Sequence, residues 1–378
     1  MNQTVLTPTP EQLELRDTLR SLFAERLPHE RLRAALDSGQ GHDPRLWDEM
    51  ASGLGLHGLA IPEEFGGGGF TYPDLLVVFE EMGCALVPGP FFASVALAST
   101  LVLALPDQEA RERLLPGIAS GERVATVAVV ENPTSWDADT VTAVAVGTGS
   151  ARAVTGEKLF VLDAEDADVL LIVVRTEHGL GVAEIDPTAP GVRIERMDTV
   201  DATRRQCRVV FDHAPAVLLA AGTDAAPAVR RMCDLASVAL AAEQVGGARR
   251  VLEMATDYAK TREQFGRTIG GFQAIKHLLA DQLVAVESAR AALAYAATAT
   301  ATGVDLTVAA SVAQAFCSDA YTVAAATNIH VHGGIGFTWE HPAHLYYKRA
   351  ISSEVLLGSP REHRARIAAH LLAPSETV

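Results

Sequence analysis

The sequence predicts an α+β chain of helices, then strands, then helices, and two changes of hydrophobic period carry that prediction. Over 1–122 apolar residues recur at three- and four-residue spacing, the mark of amphipathic helices. From about Gly121 they fall instead into short valine-rich runs bounded by Gly, Pro, Asp, Asn or Thr. From about Ala225 the helical spacing returns and lasts to about Leu372. The expected domains are therefore 1–122, helical; 123–224, an antiparallel β-domain; and 225–378, helical.

The first helix opens at Thr9-Pro10-Glu11-Gln12, which offers an N-cap, a proline at the first helical position and a capping-box glutamine. Leu15, Leu19, Leu22 and Phe23 follow at helical spacing. Trp47 to Leu59 reads as a further helical segment, ending at Ile61-Pro62-Glu63-Glu64-Phe65 and the four glycines Gly66 to Gly69. No Gly-Lys-Ser/Thr follows, so those glycines read as a turn and not as a phosphate cradle. Phe70 to Leu86 is helical until Pro88-Gly89-Pro90 breaks it, and Val95 to Leu105 and Gln108 to Ile118 complete the layer.

Six short strands are expected next: Val124 to Val130, Val141 to Val146, Ala151 to Thr155, Val169 to Val174, Val182 to Ile185 and Arg208 to Phe211. With no helix between them they predict an antiparallel sandwich or barrel. Ala225 to Lys260, Gly271 to Thr302 and Leu306 to Val331 read as long helices, and Ser359-Pro360-Arg361-Glu362 as the capped start of a last one.

The chain has 378 residues, 48% of them apolar, enough for a sizeable core. Its net charge of −16 argues against nucleic acid or an anionic membrane as partner. Cys84, Cys207, Cys233 and Cys317 are scattered, as expected of free thiols in a reducing, cytoplasmic setting. The first residues are polar and no run of eighteen apolar residues occurs, so neither a secretory signal nor a spanning helix is expected.

The stretch richest in binding chemistry is Thr261 to His277, TREQFGRTIGGFQAIKH. Gly266, Gly270 and Gly271 interrupt the helical stripe, and Phe272, Ile275, Leu279, Leu283 and Val286 restart it. The break carries Arg262, Phe265, Arg267 and Gln273. An arginine fork binds a diphosphate, an aromatic ring stacks on a flat one, and an amide reads base edges. From spacing alone, a helix–helix turn with a solvated arginine remains the more ordinary reading. His330, His332, His341 and His344 lie close in sequence, but only Glu340 accompanies them, so no metal site is expected.

The segment resembles the R-x-x-F-G-x-x-I-x-x-F-Q motif of the acyl-CoA dehydrogenase family. Ile329 to Pro342, IHVHGGIGFTWEHP, is similar to that family's later glycine-rich stretch, and Ile61 to Gly67 to its I-P-E-x-x-G-G segment. The resemblance implies that family's fold, with a C-terminal four-helix bundle. It implies FAD as cofactor, α,β-dehydrogenation of an acyl-CoA thioester (oxidation of a CH–CH bond), and electron-transfer flavoprotein as redox partner. Carried over, Arg262, Phe265, Gln273, His330, Gly333, Gly334 and Gly336 are the expected contacts to the ADP half of FAD, shared across a subunit interface. His330 stands where the family usually has glutamine.

Three positions depart from the family. Its T-E-P-x-x-G-S-D segment corresponds to Val130 to Asp137, which lacks the Gly-Ser-Asp. Its W-I-T or W-I-S corresponds to Phe160-Val161-Leu162, and Leu162 cannot donate a hydrogen bond to flavin. Its Y-E-G triplet, which carries the catalytic base, corresponds to Leu356-Leu357-Gly358, and the alternative base position on an earlier helix is Ala236. Glu354 and Glu243 are the nearby carboxylates, both read as exposed helix glutamates. Lys158 to Asp163 and the HGGIGFTWEHP stretch resemble the base-lacking subunits of actinobacterial α2β2 enzymes acting on steroid side-chain thioesters. The expectation is such a subunit. The alternatives are a self-sufficient homotetramer with a relocated base, other flavin chemistry on the same fold, and a scaffold without flavin.

Overall fold

The computed structural model describes residues 8–132 and 136–372. Its helices are α1 (Pro10–Arg26), α2 (His29–Asp37), α3 (Pro44–Asp48), α4 (Tyr72–Ala85), α5 (Thr100–Ala104) and α6 (Gln108–Ala119). After the strands come α7 (Ala225–Thr261), α8 (Gln273–Thr302), α9 (Leu306–His332), α10 (Ala343–Val355) and α11 (Pro360–Leu372). The strands are β1 (Ala125–Ala128), β2 (Val144–Thr148), β3 (Ala151–Leu162), β4 (Val169–Thr176), β5 (Gly179–Ile185), β6 (Val192–Arg196) and β7 (Gln206–Ala221). Between α7 and α8 lie β8 (Glu263–Gln264) and β9 (Arg267–Thr268). Helical, β and helical segments thus follow one another as the sequence predicts.

The chain divides into two compact units, each drawn from separate stretches. One takes 8–32, 72–87 and 237–372 of the described residues. Here the Thr9 hydroxyl accepts from Gln12 N while Thr9 N donates to the Gln12 side chain, the reciprocal cap that starts α1. α4 crosses α7 at glycines. A Cβ on Gly83 would stand 2.0 Å from the Glu243 carbonyl oxygen, and one on Gly246 would stand 1.8 Å from that of Glu80. Close crossing buries Glu80 and Glu81, whose charges are met by Arg16 at 2.8 Å, Arg20 at 3.1 Å and Arg249 at 2.9 Å. α9 packs on α8, α10 and α11.

The second unit takes 33–71 and 88–236 and contains the sheet. β4, β5, β7, β3 and β2 pair antiparallel in turn, and Val144 of β2 returns to Arg175 of β4, so the sheet closes into a barrel. The β1–β4 and β2–β4 pairings are parallel, the others antiparallel. Val154, Leu170, Ile172, Val209 and Phe211 fill its interior.

Several elements differ in extent from the sequence reading. β3 has 12 residues and β7 has 16, each read as a four- or five-residue run. Gly156 and Pro215 look like punctuation in sequence, yet both lie inside paired strands, Gly156 beside a register shift where a Cβ would meet Ala143 at 2.5 Å. α2, β6, α10 and the β8–β9 hairpin are additional. The expected helix over Trp47 to Leu59 is α3, a π-helical turn at Glu49–Gly53 and a 3-10 turn at Leu56–Gly58. All four cysteines are free, and among the described residues no helix is long and apolar enough to cross a membrane.

Candidate functional site

The break after α7 is a tight hairpin, with Glu263 paired to Thr268 and Gln264 to Arg267. Its tip needs two left-handed residues, and they are Phe265 (φ 53) and Gly266 (φ 76). Glycine takes that conformation freely, whereas a side chain there costs roughly 1–2 kcal/mol. The ring gains no burial in exchange, being 92% exposed. Arg262 is held by its backbone, its N–H donating to Tyr258 and its carbonyl accepting from Ile269, both at 2.8 Å. Its guanidinium has no partner among the described residues. Arg267 lies over the Phe272 ring at 4.1 Å, and Phe265 meets that ring edge-on at 6.2 Å. Gln273, exposed, opens α8 and reaches His277 at 3.4 Å.

The same end of this unit gathers the glycine-rich stretch. Val331 is buried with Ala255 and Ala259, and Ile269 and Ile275 pack against that cluster. His332 stacks on Tyr258 with centroids 4.3 Å apart, while His330 points to solvent. The three glycines do different things. Gly333 has φ 64 and ψ −140, a conformation open essentially to glycine alone. Around Gly334 a Cβ would meet nothing within 4 Å, so its backbone can be approached closely. Gly336 is a packing glycine, with Ile329 O 3.1 Å from where its Cβ would be. An unpaired guanidinium, an uncovered ring, an exposed amide and open glycine backbone form a donor set that fits a diphosphate and a flat heterocycle.

At the other positions carried over from the family, little faces outward. Leu357 is 2% exposed and left-handed (φ 63), and Ala236 is fully buried. Glu243 is not the exposed glutamate read from sequence. It is buried and ion-paired to Arg349 at 2.6 Å, because Gly83 and Gly246 let α4 lie directly over this stretch of α7. Glu354 is half-buried and accepts from the Thr322 hydroxyl at 3.4 Å.

In the barrel, Phe160 is also left-handed (φ 54), at a register shift between Lys158 and Val161. Leu162 is buried, and its carbonyl accepts from the Thr126 hydroxyl at 2.7 Å. Its side chain brings no donor, so this side fits flavin less well than the other fits ADP. Pro133, Thr134 and Ser135 of the neighbouring segment lie outside the described residues. Lys158 is fully buried and donates to Val129 O at 3.1 Å and to Glu131 at 2.7 Å. Burial pushes its ammonium down to about 8, partly offset by the Glu131 carboxylate. Burial alone would raise Glu131, but bonds from Lys158, Thr142 and Ala143 N hold it below the usual carboxylate range. Sequence reading did not single out this pair.

The histidines do cluster: His332 and His341 lie 4.3 Å apart, and burial, then His332, His29 and His344, push His341 down to about 4. Among the described residues no group of three or more side chains could hold a metal ion.

The chain is similar to known proteins over most of its length. Residues 9–122 match the family model described as acyl-CoA dehydrogenase, N-terminal domain, and 227–372 match the C-terminal domain model. The chain is 36% identical over 364 residues to acyl-CoA dehydrogenase IpdE2 of Mycobacterium tuberculosis, covering 96% of this chain and 98% of that protein. Among solved structures, the Tcur3481-Tcur3483 steroid ACAD superposes with a TM-score of 0.87 at 32% identity, over 96% of this chain and 97% of that one. The ChsE4-ChsE5 complex of Mycobacterium tuberculosis does so with a TM-score of 0.89 at 28% identity, over 99% of each chain.

Proposed function

This chain belongs to the acyl-CoA dehydrogenase family, whose members are FAD-dependent oxidoreductases, and from that premise we propose that it is the base-lacking subunit of a heteromeric member. In this reading a paralogous chain supplies the catalytic carboxylate, in an α2β2 assembly, and this chain completes the ADP half of the cofactor site. The observation that carries it is the pair of buried apolar residues, Leu357 and Ala236, at the family's two base positions. The nearby Glu243 carboxylate is already committed to Arg349.

FAD, when bound, accepts the hydride that leaves the β-carbon of the acyl thioester. This chain's own part is binding and orientation. Arg262 would hold the diphosphate with a bidentate fork, Phe265 would cover an adenine or ribose face, and Gln273 and the Gly333–Gly334 backbone would fix the remaining polar edge. Leu162 and Leu357, each within its own unit, would bring apolar surface and no group able to move a proton. The relation to a steroid ACAD and to the ChsE4-ChsE5 complex favours a bulky acyl group and an unlike partner chain.

Co-expression with a paralogue that retains Tyr-Glu-Gly tests the reading. The two chains should co-purify with one FAD per unlike pair. A homotetramer carrying one FAD per chain would contradict it. A second reading rests on Glu354, whose carboxylate, among the described residues, meets only the long contact from Thr322. If the chain is self-sufficient, Glu354→Gln abolishes reduction of its flavin by substrate.

A further inference from the structure

Helix α9 carries a pattern that cofactor binding leaves unused. Ser311, Gln314, Ser318, Tyr321, Ala325, Asn328 and His332 recur at alternating spacings of three and four, so they share one face. All are buried. A buried helix seam with this period is normally apolar, yet every position except Ala325 is polar.

α7 provides the facing side. Gln244 Nε2 donates to Ser318 Oγ at 2.9 Å. The Tyr321 ring fills the place of a missing side chain at Gly247, its Cζ 2.4 Å from where a Cβ would be. Tyr258 stacks on His332. Each pair is separated by the same 74 residues in sequence, so α7 and α9 run parallel in one register. Toward the start of α9, Gln314 Nε2 lies 3.4 Å from both Ser353 O, in the last turn of α10, and Leu356 O, the carbonyl just before Leu357.

Four amide atoms of this seam have no hydrogen-bond partner among the described residues: Gln244 Oε1, Gln314 Oε1, and both Oδ1 and Nδ2 of Asn328. All three side chains are fully buried. Buried amides left bare destabilise a fold, and native interiors satisfy such groups with ordered water bound to several polar atoms. A charged ligand does not match the set, because the amides are neutral and the neighbouring Glu243 and Arg349 already neutralise each other.

We infer that the α7–α9 seam is a binding site for ordered water molecules, held by Gln244, Gln314 and Asn328, and that Gln314 at one end positions the Leu356–Gly358 turn. Water is expected on either side of the Tyr321 ring that packs on Gly247: at Gln244 and Gln314 toward the turn, and at Asn328 toward His332. Its existence depends on bundle geometry and not on which subunit supplies the base.

High-resolution diffraction from the purified complex, or from the chain with whatever partner it retains, tests this. Ordered density is expected within hydrogen-bond distance of all four amide atoms. Asn328→Leu should lower the melting temperature by several degrees, because the displaced water also serves its neighbours. Asn328→Ala should admit one more water with a smaller loss. Gln314→Met should speed amide exchange at Gly358 about tenfold while exchange along α8 stays unchanged. A dry seam, or a melting temperature raised by Asn328→Leu, would overturn the water sites. Unchanged exchange at Gly358 would overturn the positioning role of Gln314.

Discussion

Helix α9 joins two regions built on opposite terms. Its C-terminal end runs into Gly333 beside a hairpin whose Phe265 ring is 92% exposed and whose Arg262 has no partner among the described residues. Eighteen residues earlier, about 27 Å along the axis, Gln314 lies against a turn where Leu356 and Leu357 are buried. Both regions hold an apolar residue in the left-handed conformation, Phe265 at one and Leu357 at the other. At the turn, burial of the side chain offsets the strain. At the hairpin no burial does so, and the ring meets Phe272 edge-on at 6.2 Å. Strain combined with exposure marks a surface awaiting a ligand or partner, whereas strain combined with burial marks a packed backbone that needs no visitor.

Leu357→Ala breaks the comparison at the buried end and should have the largest effect. Removing a buried leucine costs about 2–5 kcal/mol, measurable by urea unfolding, while the cofactor content of the folded fraction stays the same. Unchanged stability would mean that the turn is not packed as described. Arg262→Ala probes the exposed end. Losing a charge-assisted fork costs about 1.5–3 kcal/mol, so FAD retention in the assembled enzyme should fall roughly ten- to a hundredfold with the melting temperature of the cofactor-free chain unchanged. If retention does not change, Arg262 does not bind the diphosphate.

Acid should unfold both regions. Burial, first of all, pushes His363, packed beside Gly358, and His341, at the cofactor end, down to about 4. Unfolded, each returns to about 6.5. Between those values the unfolded chain binds more protons, so stability is complete above pH 6.5 and is lost progressively as pH falls toward 4. His363→Leu and His341→Leu should each flatten that loss in melts between pH 4 and 7. A profile as steep as the parent's would show that the ring is charged in the folded protein. Gly334→Ala should have the smallest effect on folding, because its Cβ would meet nothing within 4 Å. It should lower FAD retention only, and equal retention would remove Gly334 from the site.

Much of this was legible in sequence because it rests on period and punctuation. Thr9-Pro10-Glu11-Gln12 specifies its cap locally, and the three-part order follows from runs of like spacing. What escaped was long-range. Gly156 and Pro215 look like strand ends until a bulge and a neighbouring strand accommodate them. Glu243 reads as a solvated helix glutamate, since polarity in a helix usually means water outside, and Gln314 and Asn328 drew no reading at all. Only the crossing at Gly83 and Gly246, and the register of α9 on α7, turn those residues inward. The same limit applies to Phe265, whose exposure is a property of the folded hairpin and not of its spacing.

The division of labour between subunits is tested most directly by anaerobic flavin reduction with acyl-CoA thioesters, including a steroid side-chain thioester, for this chain alone and with its paralogue. A positioned base contributes roughly two to four orders of magnitude. The expected result is no reduction by the chain alone and rapid reduction once the paralogue is present. Rapid reduction by the chain alone, abolished in Glu354→Gln, would contradict it and make this a self-sufficient enzyme.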